Sequence, residues 1–171
     1  MVFEDRRTYG FVGGMSVKEN IILPNAKEFS GATGLNFPGM KKAAEEQKEK
    51  LRIKTPNVEQ HVMNLSGGNQ QKVVLAKWMM RDDVKVLIMD EPTRGIDVGA
   101  KQEFYDIIKD MAEQGISVII ISSEMPEVIN MSQKIMIMNS GKIVGEMTHA
   151  EATQESIMAT IVNGGQKNEE K

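Results

Sequence analysis

The spacing of hydrophobic residues predicts that strands and helices alternate in the second half of the chain. Apolar runs with the length of strands lie at residues 86–89, 117–121, 134–138 and 142–147. Helical spacing lies at residues 99–114 and 125–131, and again in a last helix that Thr153 can cap. The first of these helices places Phe104, Ile107, Ile108 and Met111 on one face, and Gly115 can form its C-terminal cap. Such alternation is typical of an α/β layer with parallel strands.

The first half of the chain predicts a helical portion ahead of that layer. Residues 1–39 carry many glycines and one short apolar run at residues 17–23. Residues 40–52 combine strong helix formers with mixed charge, so we expect an exposed helix there. From Gly68 to about Met80 the apolar positions predict a largely buried helix, in which Trp78 packs in the core.

The composition indicates a packed domain and excludes several classes of site. The chain has 171 residues, of which 40% are hydrophobic and 26% charged, a balance that favours a folded core over disorder. Its formal net charge of −3 argues against a general nucleic-acid binder. The absence of cysteine excludes disulfides and cysteine-rich zinc sites. No apolar run reaches the roughly 20 residues that span a bilayer, and the N-terminus lacks a signal peptide's apolar segment.

The run Leu65-Ser-Gly-Gly-Asn-Gln-Gln-Lys72 places a hydroxyl and two glycines at the start of a predicted helix. A helix start leaves backbone N–H groups unpaired and carries a partial positive charge, so it suits a phosphate. We expect the glycines to let a phosphate approach those amides closely. The alternative is an ordinary serine cap followed by a glycine turn.

A second informative run follows, Val86-Leu-Ile-Met-Asp-Glu-Pro-Thr93, a strand that ends in two carboxylates. We expect this strand to be buried on both faces, with Asp90 emerging at the edge where ligands bind in open α/β sheets. Asp90 can hold magnesium through water, and Glu91 can orient the attacking water. The alternative is a core strand followed by two solvated acids.

Together these runs resemble the signature motif and the Walker B strand of an ATP-binding cassette (ABC) ATPase. The chain is similar to the C-terminal ATPase domain of a tandem ATP-binding subunit of a bacterial monosaccharide importer, of the ribose, galactoside or xylose type. Stretches specific to that branch are Glu4-Asp-Arg6, Met15-Ser-Val-Lys-Glu-Asn20, Leu65 to Lys72, Glu91-Pro-Thr-Arg-Gly95 and Ser122-Ser-Glu-Met-Pro-Glu127.

The resemblance implies a partial P-loop NTPase (ABC ATPase) fold, with a mostly parallel sheet flanked by helices and an N-terminal helical subdomain. It assigns residues 1–64 to a Q-loop-like region and the helical subdomain. It assigns residues 65–163 to an α/β core holding the signature helix, Walker B, the D-loop (Gly95-Ile-Asp97) and the switch. Residues 164–171 are expected to form a disordered tail.

The resemblance also implies the site. In ABC dimers each nucleotide is held between the P-loop of one domain and the signature of the other. On this basis Ser66, Gly67, Gly68, Asn69 and Gln70 serve ATP bound to a partner domain. Asp90 as the magnesium residue, with Glu91 and Ser123 as catalytic residues, belongs to this domain's own site. Glu4 and Asp97 are further nucleotide-site residues by resemblance, although Asp97 taken alone can equally cap the helix that begins near Gly99.

Two features depart from the family pattern. No Gly-x-x-x-x-Gly-Lys-Ser/Thr run is present, and the nearest stretch, Gly34 to Lys41, has a displaced lysine without a hydroxyl after it. We therefore expect a domain without its P-loop that is inactive alone. Ser123 stands where many ABC ATPases place a histidine, which suggests that this domain's own nucleotide site is weak or inactive even in the intact protein. His61 and His149 are expected to be surface or packing residues.

The resemblance further implies ATP and Mg²⁺ as cofactors of the intact protein. Its implied partners are a second ATPase domain, transmembrane permease subunits and, indirectly, a periplasmic or extracellular sugar-binding protein. The implied location is cytoplasmic, peripheral on the inner face of the membrane. A sheet edge left open by missing strands can also pair with another copy to give a homodimer. The alternative function is a non-transport ABC-type protein or a non-catalytic interaction module.

Overall fold

The computed structural model describes residues 1–32, 34–81 and 83–169, with side chains described as far as residue 164. The chain divides into two compact units, Met1–Ile119 and Ile120–Lys171. Each unit is described separately.

The first unit is mainly helical. Its α-helices are α1 (Val17–Ile22), α2 (Phe37–Lys50), α3 (Gly67–Met79) and α4 (Val98–Glu113). A π-helical turn at Arg6–Gly10 and 3-10 turns at Leu23–Phe29 and Val62–Asn64 connect them. Helix α3 lies at the centre, because residues on all of its sides are buried and it packs against α1, α2 and α4. The predicted buried helix is therefore confirmed.

The helix ends follow local sequence signals. Ser16 and Glu19 form a reciprocal capping box at the start of α1. The Asn36 side chain accepts a hydrogen bond from the Gly39 N–H at 3.0 Å, so α2 begins earlier than the predicted residue 40. At the end of α4, Gly115 has φ +91°, and the N–H groups of Gly115 and Ile116 reach back to the last turn. This is the glycine cap that the sequence predicted.

The strands of the first unit are short. The hairpin strands β1 (Ser30–Gly31) and β2 (Gly34–Leu35) pair antiparallel. Strand β3 (Val86–Asp90) pairs with β4 (Ser117–Ile121), and Val2 forms a parallel bridge to Met89. The expectation that β3 is buried on both faces is wrong. Leu87 and Met89 are buried while Val86 is 54% exposed, because only one face of the strand is covered by a core.

The second unit packs two helices on a hairpin. Strands β5 (Lys134–Asn139) and β6 (Lys142–Thr148) pair antiparallel around a turn in which Ser140 and Gly141 both have positive φ. Helices α5 (Met125–Met131) and α6 (Gln154–Glu169) supply the rest of the unit. Its small core holds Ile135, Ile137, Ala152 and Ile157.

The last helix is longer than the sequence predicted. Its start is confirmed, since the Ser156 N–H donates to Thr153 Oγ1 at 3.0 Å. Residues 164–169 are helical where we expected a disordered tail, and residues 170 and 171 lie outside the described residues. A Cβ on Gly164 would lie 2.5 Å from the Val144 Cβ, so the helix continues where a glycine allows close contact with β6.

None of the helices among the described residues is both long enough and apolar enough to cross a membrane.

Candidate functional site

The start of α3 carries the Leu65–Lys72 run, and Ser66 is its N-cap residue. The backbone of Ser66 is extended, with φ −62° and ψ 158°, but its side chain makes no capping hydrogen bond. Instead Ser66 Oγ accepts a hydrogen bond from Asn69 Nδ2 at 2.9 Å. The side chain of Ser66 is exposed. The alternative of an ordinary serine cap is therefore not what the structure shows.

The two glycines after Ser66 are required by packing. A Cβ on Gly68 would lie 2.7 Å from Ala100 Cβ, on the neighbouring helix α4. A Cβ on Gly67 would lie 2.8 Å from Arg6 Nη2 and 3.0 Å from the Gly95 carbonyl oxygen. The sequence suggested that glycine serves the approach of a phosphate. The structure shows a packing reason: Gly68 leaves no room for a Cβ beside Ala100, while at Gly67 the flexible end of Arg6 would have to move.

A cleft of about 280 Å³ opens beside these residues. Helices α3 and α4 both begin at it, so two helix N-termini contribute to its polarity. Asp97 caps α4, because its Oδ1 accepts a hydrogen bond from the Ala100 N–H at 2.9 Å. The cleft is lined by Lys54, Ser66, Gly68, Asn69, Lys72, Asp97, Gly99, Ala100 and Glu103.

A carboxylate held by two lysines forms one wall of the cleft. Glu103 on α4 accepts from Lys54 Nζ at 2.5 Å and from Lys72 Nζ at 2.8 Å. These hydrogen bonds lower the pKa of Glu103 to about 2. Lys72 is 1% exposed, and its ammonium also donates to the Arg52 carbonyl at 3.0 Å. Two of the three ammonium hydrogens of the buried lysine are thus used by partners within the protein.

The two predicted Walker B carboxylates lie at the end of β3 and are half-buried. The Asp90 N–H donates to the Val2 carbonyl at 2.9 Å, so the first residues of the chain extend alongside this strand. Glu91 has φ +44°, a left-handed backbone conformation that is uncommon outside glycine. Such conformations cluster at functional sites, where surrounding structure maintains the strain.

The loop after Glu91 is fastened to the first segment of the chain. Arg94 forms an ion pair with Glu4, so Glu4 lies beside the D-loop. Arg6 donates to the Arg94 carbonyl at 2.9 Å and to the Gly95 carbonyl at 3.4 Å. Burial lowers the pKa of Arg6, with a further contribution from Arg7. Arg6 thereby connects the Q-loop-like region, the D-loop and Gly67.

Gln70 and Ser123 are two predicted site residues that do not line the cleft. Gln70 is 2% exposed, and its Nε2 donates toward the carbonyls of Val62, Met63 and Leu65. This geometry does not support a ligand role for Gln70, whose amide instead holds the segment before α3. Ser123 belongs to the second unit and lies just before α5, and its catalytic role stays a prediction.

Sequence reasoning missed Lys54, Glu103 and Arg6 as site residues. Arg6 lay in a stretch that was used only to identify the family branch. Lys54 and Glu103 lie 49 residues apart in unremarkable polar stretches, so no local signal joined them. A hint was available in Lys72, since a lysine inside an apolar helix pattern needs a charged partner.

Within the described residues, no group of three or more histidine, cysteine, aspartate or glutamate side chains could hold a metal ion.

Comparison with known proteins identifies the family. The family described as ABC transporter matches residues 1–94, more than half of the chain. The chain belongs to the ABC transporter family. This confirms the resemblance drawn from the signature and Walker B runs.

Curated relatives cover nearly the whole chain. It is 52% identical over 161 residues to the xylose import ATP-binding protein of Thermoanaerobacter pseudethanolicus, covering 94% of this chain and 32% of that protein. It is 50% identical over 160 residues to a ribose import ATP-binding protein of Clostridium perfringens, covering 93% of this chain and 32% of that protein. The chain thus spans about a third of the length of these relatives.

Solved structures confirm the fold class. A dimeric post-hydrolysis state of an ATP-binding cassette bound to ADP and Pi matches with a TM-score of 0.70 and 20% identity, covering 86% of this chain and 62% of that one. CbiO1 of Clostridium perfringens, part of an ABC transporter complex, matches with a TM-score of 0.72 and 23% identity, covering 95% and 61%. Most of this chain therefore has the α/β fold of an ABC ATPase cassette.

Proposed function

We propose that this chain is part of the ATP-hydrolysing component of a bacterial sugar importer. The observation that carries the proposal is the cleft at the start of α3, where Ser66 presents a hydroxyl that does not cap its own helix. The relatives named as xylose and ribose import ATP-binding proteins support the sugar-import assignment.

In this proposal the cleft contacts ATP that is held by a partner ATPase domain. The Ser66 hydroxyl and the first amides of α3 donate to the terminal phosphate. Asp97 holds the start of α4 beside that phosphate through its cap to Ala100. Gly67 and Gly68 act by letting Arg6 and α4 approach, so they shape the cleft around Ser66.

The chain's own half-site lies at the end of β3. Asp90 would hold a magnesium ion through water, and the ion would neutralise charge on the phosphates. Glu91 would accept a hydrogen bond from the attacking water and orient it in line. Its left-handed backbone fixes the direction of the side chain directly after the strand. Glu4, in the first segment of the chain, adds a carboxylate beside the loop after Glu91, where Arg94 holds it.

The partners follow from the same assignment. A second ATPase domain would complete the cleft, and transmembrane permease subunits would carry the sugar, with a sugar-binding protein acting through them. The chain would work at the cytoplasmic face of the membrane. Dimeric ATP-binding cassettes among the matched structures support the paired arrangement.

Two substitutions in the full-length protein test the proposal. Ser66→Arg should remove most ATPase turnover, because a long cation at the helix start blocks the partner's phosphate. Glu91→Gln should remove the hydrolysis that this chain's own half-site supports, while ATP binding, measured by calorimetry, is retained. Gln133→Arg is the control, since Gln133 is exposed and does not line the cleft.

Near-normal turnover of the Ser66→Arg protein would contradict the role of the cleft. Normal hydrolysis by the Glu91→Gln protein would show that this chain's own half-site does not catalyse hydrolysis.

A further inference from the structure

The orientation of the Asn69 side chain is fixed by the backbone of a distant segment. The Lys54 N–H donates to Asn69 Oδ1 at 2.7 Å. A backbone N–H can only donate, so the atom it meets must be the amide oxygen. The amide nitrogen of Asn69 therefore has to face the opposite way, toward Ser66.

That orientation decides which role the Ser66 hydroxyl takes. Asn69 Nδ2 donates to Ser66 Oγ at 2.9 Å, which occupies a lone pair of the hydroxyl. A hydroxyl has one proton and two acceptor positions. A capping bond would use the second lone pair and not the proton. Among the described residues Ser66 Oγ donates to no acceptor, so its proton is left to donate into the cleft.

These two hydrogen bonds, from the Lys54 N–H to Asn69 and from Asn69 to Ser66, form a relay. The segment that carries the Lys54 N–H is anchored to both helices of the cleft, α3 and α4. Lys72 of α3 donates to the Arg52 carbonyl at 3.0 Å, and Lys54 reaches Glu103 of α4 at 2.5 Å. Lys72 also donates to Glu103 at 2.8 Å, so one carboxylate holds both lysines. The Lys54 amide is thus held in place relative to Asn69.

We infer that Asn69 is a positioning residue that acts through Ser66: the clamped Lys54 amide sets the Asn69 amide, which makes the Ser66 hydroxyl a donor toward phosphate. This inference rests on the proposed function of the cleft. It replaces the expectation from the sequence that Asn69 contacts the nucleotide directly.

The relay itself is tested by hydrogen exchange in the 171-residue chain. The Lys54 amide should be protected, although its residue is exposed. Asn69→Leu should remove that protection, because no acceptor remains. Asn69→Asp should keep it, because a carboxylate oxygen replaces the amide oxygen. An unprotected Lys54 amide, or one that Asn69→Leu leaves protected, would overturn the relay. Exchange of amides in α2 serves as the control for folding.

The functional consequence is tested by a double-mutant cycle in the full-length protein. Asn69→Ala should lower kcat/KM for ATP by about tenfold when Ser66 is present, the effect of one lost hydrogen bond. In the Ser66→Ala background the same change should have less than about a twofold effect, since coupled residues are non-additive. Asn69→Asp should lower activity like Asn69→Ala despite the protected Lys54 amide, because the Ser66 proton then turns to the carboxylate.

The outcomes distinguish a failure of this inference from a failure of the proposed function of the cleft. Equal losses from Asn69→Ala in both backgrounds would overturn the positioning role and indicate direct contact with the nucleotide. If Ser66→Ala alone leaves ATPase activity unchanged, the proposed role of the cleft fails, and this inference fails with it.

Discussion

The contact between Gly68 and Ala100 allows a quantitative test of how α3 and α4 are packed. In Gly68→Ala the new Cβ would lie 2.7 Å from Ala100 Cβ, and both atoms are fixed to helix backbones. Ordinary carbon–carbon contacts lie at about 3.5–4.0 Å, so the helices must separate by roughly 1 Å. Overpacking of this kind destabilises a protein by about 1–3 kcal/mol.

Helix propensity acts in the opposite direction. Alanine is favoured over glycine in a helix by up to about 1 kcal/mol, and by less near a helix start. We therefore expect Gly68→Ala to lower the free energy of unfolding by about 1 kcal/mol. For a chain of this length that corresponds to a fall in Tm of about 2–4 °C.

The compensating substitution isolates the contact. Ala100→Gly alone should destabilise the chain by up to about 1 kcal/mol through propensity. In the double variant Gly68→Ala/Ala100→Gly the propensity terms cancel and the clash is gone, so its Tm should be near that of the original chain. Urea unfolding of the four proteins gives the coupling free energy, which we expect to be about 2 kcal/mol.

Gly99→Ala is the matched control, because its Cβ would meet only Asp97 Oδ1, at an ordinary 3.5 Å. Its Tm should be unchanged or slightly raised. Strictly additive effects in the cycle, or a Gly68→Ala protein as stable as the original, would refute the packing explanation for this glycine.

Three further predictions concern charge and backbone conformation. The pKa of Glu103 is lowered to about 2, so its stabilising effect is complete above the ordinary glutamate pKa of about 4.3 and is lost as the pH falls toward 2. The difference in urea midpoint between the original chain and Glu103→Gln should therefore shrink between pH 4.5 and pH 3, and a constant difference would contradict the lowered pKa. Arg6→Ala should lower the free energy of unfolding by about 1–3 kcal/mol, because its hydrogen bonds to the Arg94 and Gly95 carbonyls are lost. Arg7 is exposed, so Arg7→Ala should leave the free energy of unfolding unchanged in the same urea titration. Equal effects of the two substitutions would contradict the structural role of Arg6. Gly115→Ala should destabilise the fold by about 1–2 kcal/mol, because φ at Gly115 is +91°. Gly14→Ala is the control, since a Cβ at either glycine would meet no atom within 4 Å, and its Tm should be unchanged. Similar Tm values for the two variants would argue against backbone strain at Gly115.

Much of the secondary structure could be predicted because its signals are local. The buried face of α4 follows from the spacing of Phe104, Ile107, Ile108 and Met111, and its end from Gly115. The two paired strands of the second unit lie where the apolar runs at residues 134–138 and 142–147 predicted strands. The tail was mispredicted because its sequence is polar, while the contact of Gly164 with Val144 depends on where β6 lies.

The candidate site was predictable only in part. The residues Ser66, Gly67, Gly68, Asp90 and Glu91 were found because each motif is continuous in sequence. The contacts that these residues make within the protein could not be predicted in the same way. Gln70 looked like a ligand residue, yet it is buried and bound to backbone carbonyls. Glu4 gained a specific partner, Arg94, that no spacing indicated.

The Leu65–Lys72 run was enough to place this chain in its family and to locate a helix start with an unusual serine. Only the tertiary structure shows which residues are neighbours. Ala100 packs against Gly68, and the Lys54 N–H donates to Asn69. A helix and its caps are encoded by residues a few positions apart, because their hydrogen bonds are local. Which distant backbone group fills the space beside a side chain depends on how whole helices pack. In this protein that packing sets the direction of the Asn69 amide.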